Sequence, residues 1–310
     1  MSAPFDYDVI IIGGGCAGLA AALYAGRARL KTLLLDKLDV GGQLATTYEV
    51  ENYPGFVEPI LGPELMQRFA DQAKRFGCEV RSAQVVGINA DDTVARVVRT
   101  DKGDLRCKAV VVASGADPKT LGVPGEDRLR GRGVSYCATC DAPFFRDKEV
   151  AAIGGGNTAI DEGLYITKFA RRVTIVHRRD KLRCERIYEE QALRNEKMAF
   201  RWDTVVEEFV GGDVLEKLLL RNVKTGERSE LAVSGAFVLI GTKPNTEFLR
   251  GVCELDELGF VVVNPRKETS VPGIFAGGDV EDAVFRQAVT AAGFGCAAAL
   301  SAKHYIDRLP

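Results

Sequence analysis

The sequence predicts an α/β protein made of two three-layer units with parallel central sheets, the second unit inserted in the first. Three observations predict it. An apolar strand, a glycine-rich turn and a helix follow one another at two places, and each set is extended by a second apolar strand. Each set is closed by a further strand that stops at glycine and then proline. A last strand and a helix rich in small residues come after the second set is already complete, so this tail is expected to return to the first unit.

The first set runs from the strand Tyr7–Ile12 through Gly13-Gly14-Gly15-Cys16-Ala17-Gly18 into an Ala/Leu-rich helix, then a strand over 32–35 that ends at Asp36. Its closing strand spans 109–115, with Pro118 beyond. The second set starts with Glu149–Ile153 and turns at Gly154-Gly155-Gly156-Asn157-Thr158-Ala159. It continues in a helix from about 159 to 169 and a strand over 173–176 that ends at His177. Its closing strand spans 236–241, with Pro244 beyond. The tail holds a strand over 273–276, Gly277-Gly278-Asp279 and a helix over 285–304. The expected domains are therefore 1–117 with 246–310, and 118–245, joined by linkers near 116–119 and 242–246.

At 310 residues the chain has enough length for two cores and needs no disulfide staples. A charged fraction of 27% and a net charge of -2 provide no broad basic field, so nucleic acid is not an expected partner. The longest uncharged run, 9–26, is interrupted by Gly13, Gly14, Gly15 and Gly18, so it reads as strand, turn and helix rather than a membrane span. Asp6 and Asp8 stand where a secretory leader would carry basic residues, and a cytoplasmic location is expected. Among eight cysteines only Cys137 and Cys140 are close in sequence. Cys16, Cys78, Cys107, Cys184, Cys253 and Cys296 read as small apolar fillers, and no spacing suits a metal.

The two glycine turns carry chemistry. A G-x-G-x-x-G that opens a helix aims backbone N–H groups and the positive end of the helix dipole at one point, and the missing side chains admit a pyrophosphate. Gly13, Gly15 and Gly18 sit in that context, and Asp36 follows where a carboxylate accepts from ribose hydroxyls. Both units thus read as Rossmann-like dinucleotide-binding domains. The second uses Gly154, Gly156 and Ala159, but its next strand ends in His177-Arg178-Arg179, with Arg183 beyond. Guanidinium groups there would hold a 2′-phosphate, so NADP(H) is expected over NAD(H). Cys137-Ala138-Thr139-Cys140 lets two sulfurs meet in a turn, where a helix N-terminus favours the thiolate. Asp141 follows at proton-exchange reach, and Pro143 stops a long helix.

With these motifs the chain resembles the low-molecular-weight thioredoxin reductases of bacteria and archaea over nearly its whole length. The likeness also rests on Gly41-Gly42-Gln43-Leu44, Glu49-Val50-Glu51-Asn52-Tyr53-Pro54-Gly55, Phe275-Ala276-Gly277-Gly278-Asp279 and Arg286-Gln287-Ala288. It implies FAD in the first domain, with Gly13, Gly15 and Gly18 at the pyrophosphate and Asp36 at the adenosine ribose. Gly42, Gln43, Thr47 and Asn52 would lie on the flavin side, Asp279 at the ribityl phosphate, and Arg286, Gln287 and Ala288 beside the ring. It implies NADPH in the second domain, on Gly154, Gly156, Asn157, Thr158, His177, Arg178, Arg179 and Arg183, with Glu162 as a further contact. By the same resemblance Cys140 faces the flavin, Cys137 attacks the partner disulfide and Asp141 serves as proton donor and acceptor. A thioredoxin or thioredoxin-like partner, a homodimer and rotation of the domains between half-reactions are also implied.

Two positions depart from the pattern: Cys16 replaces a proline, and Ala142-Pro143 replaces a glycine-containing pair, neither of which removes a reacting group. Three other readings share the fold. A ferredoxin donor or oxygen acceptor is disfavoured by the arginine cluster, a ferredoxin-NADP reductase would leave Cys137 and Cys140 idle, and a flavin-linked thiol sensor would not turn over NADPH steadily.

Overall fold

The computed structural model describes residues 5–37, 40–47, 49–91 and 94–309. The chain forms two compact units, Met1–Asp117 with Lys243–Pro310, and Pro118–Thr242. The return to the first unit falls at Lys243, where the sequence reading put it at 246. The two crossings, Ala116–Pro118 and Thr242–Pro244, pair as a two-stranded sheet.

In chain order, unit 1 begins with β1 (Tyr7–Ile12), α1 (Cys16–Arg27), β2 (Thr32–Asp36), α2 (Gly62–Arg75) and β3 (Glu79–Ser82). An antiparallel run follows: β4 (Val85–Asn89), β5 (Arg96–Thr100) and β6 (Gly103–Val112). Unit 2 contains β7 (Val134–Ser135), α3 (Ala138–Asp141), β8 (Glu149–Ile153), α4 (Asn157–Ile166), β9 (Arg172–Val176), α5 (Arg186–Arg194) and β10 (Met198–Arg201). It ends with β11 (Thr204–Gly211), β12 (Leu215–Asn222), β13 (Arg228–Ala232) and β14 (Gly235–Val238). β15 (Ile274–Ala276) and α6 (Ala288–Ile306) complete unit 1.

In unit 1 the parallel strands lie in the order β3-β2-β1-β6-β15, the doubly wound arrangement that opens a crevice where the order reverses, between β1 and β6. Strand alternation divides the core. Val9, Ile11 and Leu34 pack on α1, α2 and α6, while Ile10, Ile12 and Leu33 pack on the opposite side with Val98, Leu249 and Val261. Unit 2 repeats the scheme with an all-parallel sheet, β7-β14-β8-β9-β10. Val150, Ala152 and Phe237 face the helices; Ala151, Ile153 and Val238 face a meander of β11, β12 and β13 through Phe209, Leu218 and Leu220. The central sheets are parallel as expected, but the β4–β5 hairpin adds antiparallel strands to the first, and an antiparallel sheet forms one outer layer of the second.

Two helix starts differ from expectation. α4 begins at Asn157, two residues early, because Gly156 already serves as its extended N-cap. α6 begins at Ala288, not 285, because the Asp282 carboxylate takes the N–H groups of Val284, Phe285 and Arg286 and draws them into a tight loop. Gln287 then caps the helix in a reciprocal pairing with Thr290.

Candidate active site

The first glycine turn is shaped by contact between its own backbone segments. A Cβ on Gly18 would overlap the Gly13 carbonyl, so helix and turn approach as only glycine permits. Open space lies off Gly15, where a Cβ would touch nothing within 4 Å. Asp36 reaches back from the end of β2, its Oδ2 accepting the Gly14 N–H at 2.6 Å. Gly42 comes up against Gly15, and the Gln43 amide donates to the Ala116 carbonyl. Thr47 donates to the Gln43 carbonyl at 3.3 Å, and the Asn52 amide meets Gln287 Oε1 at 3.4 Å. Gly278, φ 89°, packs on Ala17 of α1 and sets Asp279 beside the turn. The structure thus gathers residues from 13–18, 36, 42–47, 49–52 and 279–288 at the carboxyl ends of β1, β6 and β15.

Asp279 is the electrostatic feature of this crevice. Its Oδ1 is buried without a hydrogen-bond partner, and burial, with Asp282 nearby, pushes its pKa up to about 6. Such a carboxyl, beside open space at a helix N-terminus, fits a ligand that brings hydroxyl or N–H donors and a pyrophosphate. Arg286 is held at φ 48° by the Asp282 loop and so is oriented by backbone strain. Cys16, at the start of α1, points its Sγ at Met66 Sδ, 3.6 Å away, and burial raises its pKa to about 12. It is a packed, inert thiol.

The second turn repeats the first with one difference. A Cβ on Gly154 would strike the Leu239 carbonyl and Ala159, and Gly156 again faces open space. Asn157 and Thr158 are exposed at the start of α4, and Asn157 exchanges hydrogen bonds with Glu185. The ring of His177 packs so closely on Gly155 that a Cβ there would overlap its Cε1 and Nδ1. His177 is 5% exposed, its Nε2 faces the Lys181 carbonyl at 3.1 Å, and burial lowers its pKa, with Arg183, Arg179 and Arg178 adding to the effect. The histidine is a neutral floor beneath the turn; the three exposed arginines are what the rim presents to solvent.

Cys137 and Cys140 form a disulfide, Cα atoms 5.4 Å apart, across the short α3. Cys137 is the N-cap, and its Sγ accepts the Cys140 N–H at 3.2 Å, a bond that stabilises a thiolate once the disulfide opens. The Ala138 N–H donates to Glu162 Oε2 at 3.0 Å. Glu162 therefore braces the redox turn from α4. The Asp141 carboxyl is partly buried, which raises its pKa, and the Ser135 hydroxyl opposes that by donating at 2.6 Å. Tyr136 is anchored by its OH on Glu126, which also takes the N–H groups of Leu121 and Gly122. Ser135, Glu126 and Asp282 escaped the sequence reading; none lies in a motif, and only the fold brings them to their partners.

The geometry has close relatives. The family model described as pyridine nucleotide-disulphide oxidoreductase matches residues 7–295. A thioredoxin reductase of Peptoclostridium litorale is 47% identical over 309 residues, which cover 98% of each chain. A bifunctional thioredoxin reductase/thioredoxin of Mycobacterium leprae is 45% identical over 301 residues, 97% of this chain and 66% of that one. The crystal structure of thioredoxin reductase from Streptococcus pyogenes MGAS5005 superposes with a TM-score of 0.94 at 40% identity, covering 98% of this chain and 99% of that one. The chain belongs to the pyridine nucleotide-disulphide oxidoreductase family, and within it to the low-molecular-weight thioredoxin reductases.

Proposed function

We propose that the protein is an NADPH-dependent, FAD-containing reductase whose Cys137/Cys140 pair reduces the disulfide of thioredoxin or a thioredoxin-like protein. The observation that carries this reading is the Cys137–Cys140 disulfide, braced by Glu162 and Ser135 in the same unit as the arginine-rimmed glycine turn. The mycobacterial relative, whose name joins a reductase to a thioredoxin, supports the choice of partner. Bound FAD would supply the relay that carries an electron pair from NADPH to the disulfide.

In this reading Gly13, Gly15 and Gly18 receive the FAD pyrophosphate, Asp36 the adenosine ribose and Asp279 the ribityl-phosphate region. Gly42, Gln43, Thr47, Asn52, Arg286, Gln287 and Ala288 form the flavin side. Gly154, Gly156, Asn157 and Thr158 receive the NADPH pyrophosphate, and Arg178, Arg179 and Arg183 its 2′-phosphate, with His177 as the support beneath them.

In the dithiol state, Cys137 Sγ attacks one sulfur of the partner disulfide. A new S–S bond forms, the partner's bond breaks, and its second sulfur leaves with the electron pair and takes a proton. Cys140 Sγ then attacks Cys137 Sγ, which restores the internal disulfide and releases the partner's first sulfur with its electron pair. Two electrons have moved to the partner, and Asp141 carries the proton between thiols. The Cys140 N–H on Cys137 Sγ favours Cys137 as the attacking thiolate.

The reading also includes a cytoplasmic location and a homodimer. Six cysteines are free, as a reducing compartment keeps them, and no helix of the described residues is long and apolar enough to cross a membrane. Val289 and Leu300 on α6 and Tyr24 on α1 expose an apolar face suited to a second copy. Anaerobic titration with NADPH, then NADH, then oxidised thioredoxin tests the reductase reading. Flavin bleaching by NADPH in preference to NADH, followed by recovery on adding thioredoxin, is expected; failure of thioredoxin to reoxidise the protein refutes it.

A further inference from the structure

Ser135 ends β7 and is 4% exposed. Its Oγ lies 2.6 Å from Asp141 Oδ2, 3.1 Å from the Cys137 nitrogen and 3.3 Å from the Cys137 carbonyl oxygen. A serine hydroxyl has one hydrogen and two lone pairs, and these three neighbours can use all of them. The Cys137 N–H donates into one lone pair throughout. When Asp141 is ionised, the serine hydrogen points at Oδ2. When Oδ2 carries a proton, the carboxyl donates into the second lone pair and the serine hydrogen turns to the Cys137 carbonyl. Both states keep Asp141 and the Cys137 N–H bonded to the serine oxygen without moving a heavy atom.

We propose that Ser135 is a positioning residue for proton transfer in this enzyme, a rotating hydroxyl that keeps Asp141 bonded in both of its protonation states and ties it to the backbone of Cys137. This rests on the reading of Asp141 as the proton carrier. An unpartnered buried carboxyl would be locked in one state or pay a desolvation cost on each cycle. Other charged and titratable groups lie around the turn. Glu162 of α4 is on the Ala138 N–H, and the phenol of Tyr136, the residue after β7, is on Glu126. Cys137 and Cys140 are joined to each other, and Lys148 lies over the Phe145 ring, with Arg146 in the segment between. Burial raises the Asp141 pKa and the Ser135 bond works against it, so loss of the hydroxyl moves that titration to higher pH.

The test uses the flavin-loaded reductase with Ser135→Ala, Ser135→Thr and Asp141→Asn. The infrared carboxylic-acid band removed by Asp141→Asn reports the protonation of Asp141, and the pH profile of kcat/KM for thioredoxin reduction reports its use. In Ser135→Ala the band should titrate at higher pH, the profile should move the same way, and kcat/KM should fall about tenfold. Ser135→Thr, which restores the hydroxyl, should recover both. Ser135→Ala added to Asp141→Asn should cost nothing further. A band and a profile unmoved by Ser135→Ala, while Asp141→Asn loses its limb of the profile, overturns the role of Ser135 alone. A band that moves while Asp141→Asn keeps full activity at every pH overturns the role of Asp141, and Ser135's with it.

Discussion

Replacing Glu162 measures how firmly the redox turn is held. The Ala138 N–H sits at a residue with no exposed surface and donates to Glu162 Oε2 at 3.0 Å. Glu162→Ala leaves that donor without its protein partner, a loss of about 1–3 kcal/mol. Glu162→Gln keeps a carbonyl oxygen in place and loses the charge-assisted part, about half as much. Trp202 is the one tryptophan of the chain and stacks on Phe200 in unit 2, ring centroids 4.9 Å apart, so its fluorescence follows this unit in urea. With a slope of about 2 kcal/mol per molar urea, a loss of about 2 kcal/mol moves the midpoint down by about 1 M. Both variants also remove a negative charge beside the dithiol, so thiolate absorbance in the reduced protein should rise at lower pH than in the parent. A midpoint for Glu162→Ala within about 0.2 M of the parent, or an equal loss in Glu162→Gln, would show that the carboxylate does not hold the turn.

Cys137→Ser should lower thioredoxin reduction about a thousandfold or more while NADPH still bleaches the flavin, read by stopped-flow absorbance; reduction that survives unchanged removes Cys137 from its role. Arg179→Gln combined with Arg183→Gln should raise the KM for NADPH about 10–100-fold and leave that for NADH in place, so an equal rise for both would mean the arginines hold no 2′-phosphate. The pKa of His177 is lowered from 6.5, chiefly by burial, so on acidification the unfolded chain takes up the proton first. Its contribution to unit 2 is fully present above pH 6.5 and is lost as pH falls through the folded value. His177→Gln should flatten that part of the acid loss in Trp202-monitored unfolding, and an unaltered slope would place the acid sensitivity elsewhere.

The features legible in the sequence are those that depend on spacing within one segment. Continuous apolar runs marked β1 and β8 residue for residue, since a strand buried on both faces leaves few polar positions to blur it. The glycines of both turns were legible because a pyrophosphate site excludes side chains at fixed offsets. Cys137 and Cys140 were legible because a disulfide over three residues needs only one turn. What stayed hidden depends on chain distance. Glu162 is 24 residues from Ala138, and no local pattern links the two. His177 was grouped with the arginines that follow it, yet one missing Cβ, at Gly155, draws its ring inward and leaves them outside. Asp282 shows the same limit from the other side. A carboxylate taking three successive N–H groups shortens α6 by a turn and fixes Arg286 in a left-handed conformation, although propensity alone favours helix there. In each case a buried polar group's need for a partner overrode the local pattern, so the residues that tune this site are found by following hydrogen bonds outward from those the motifs name.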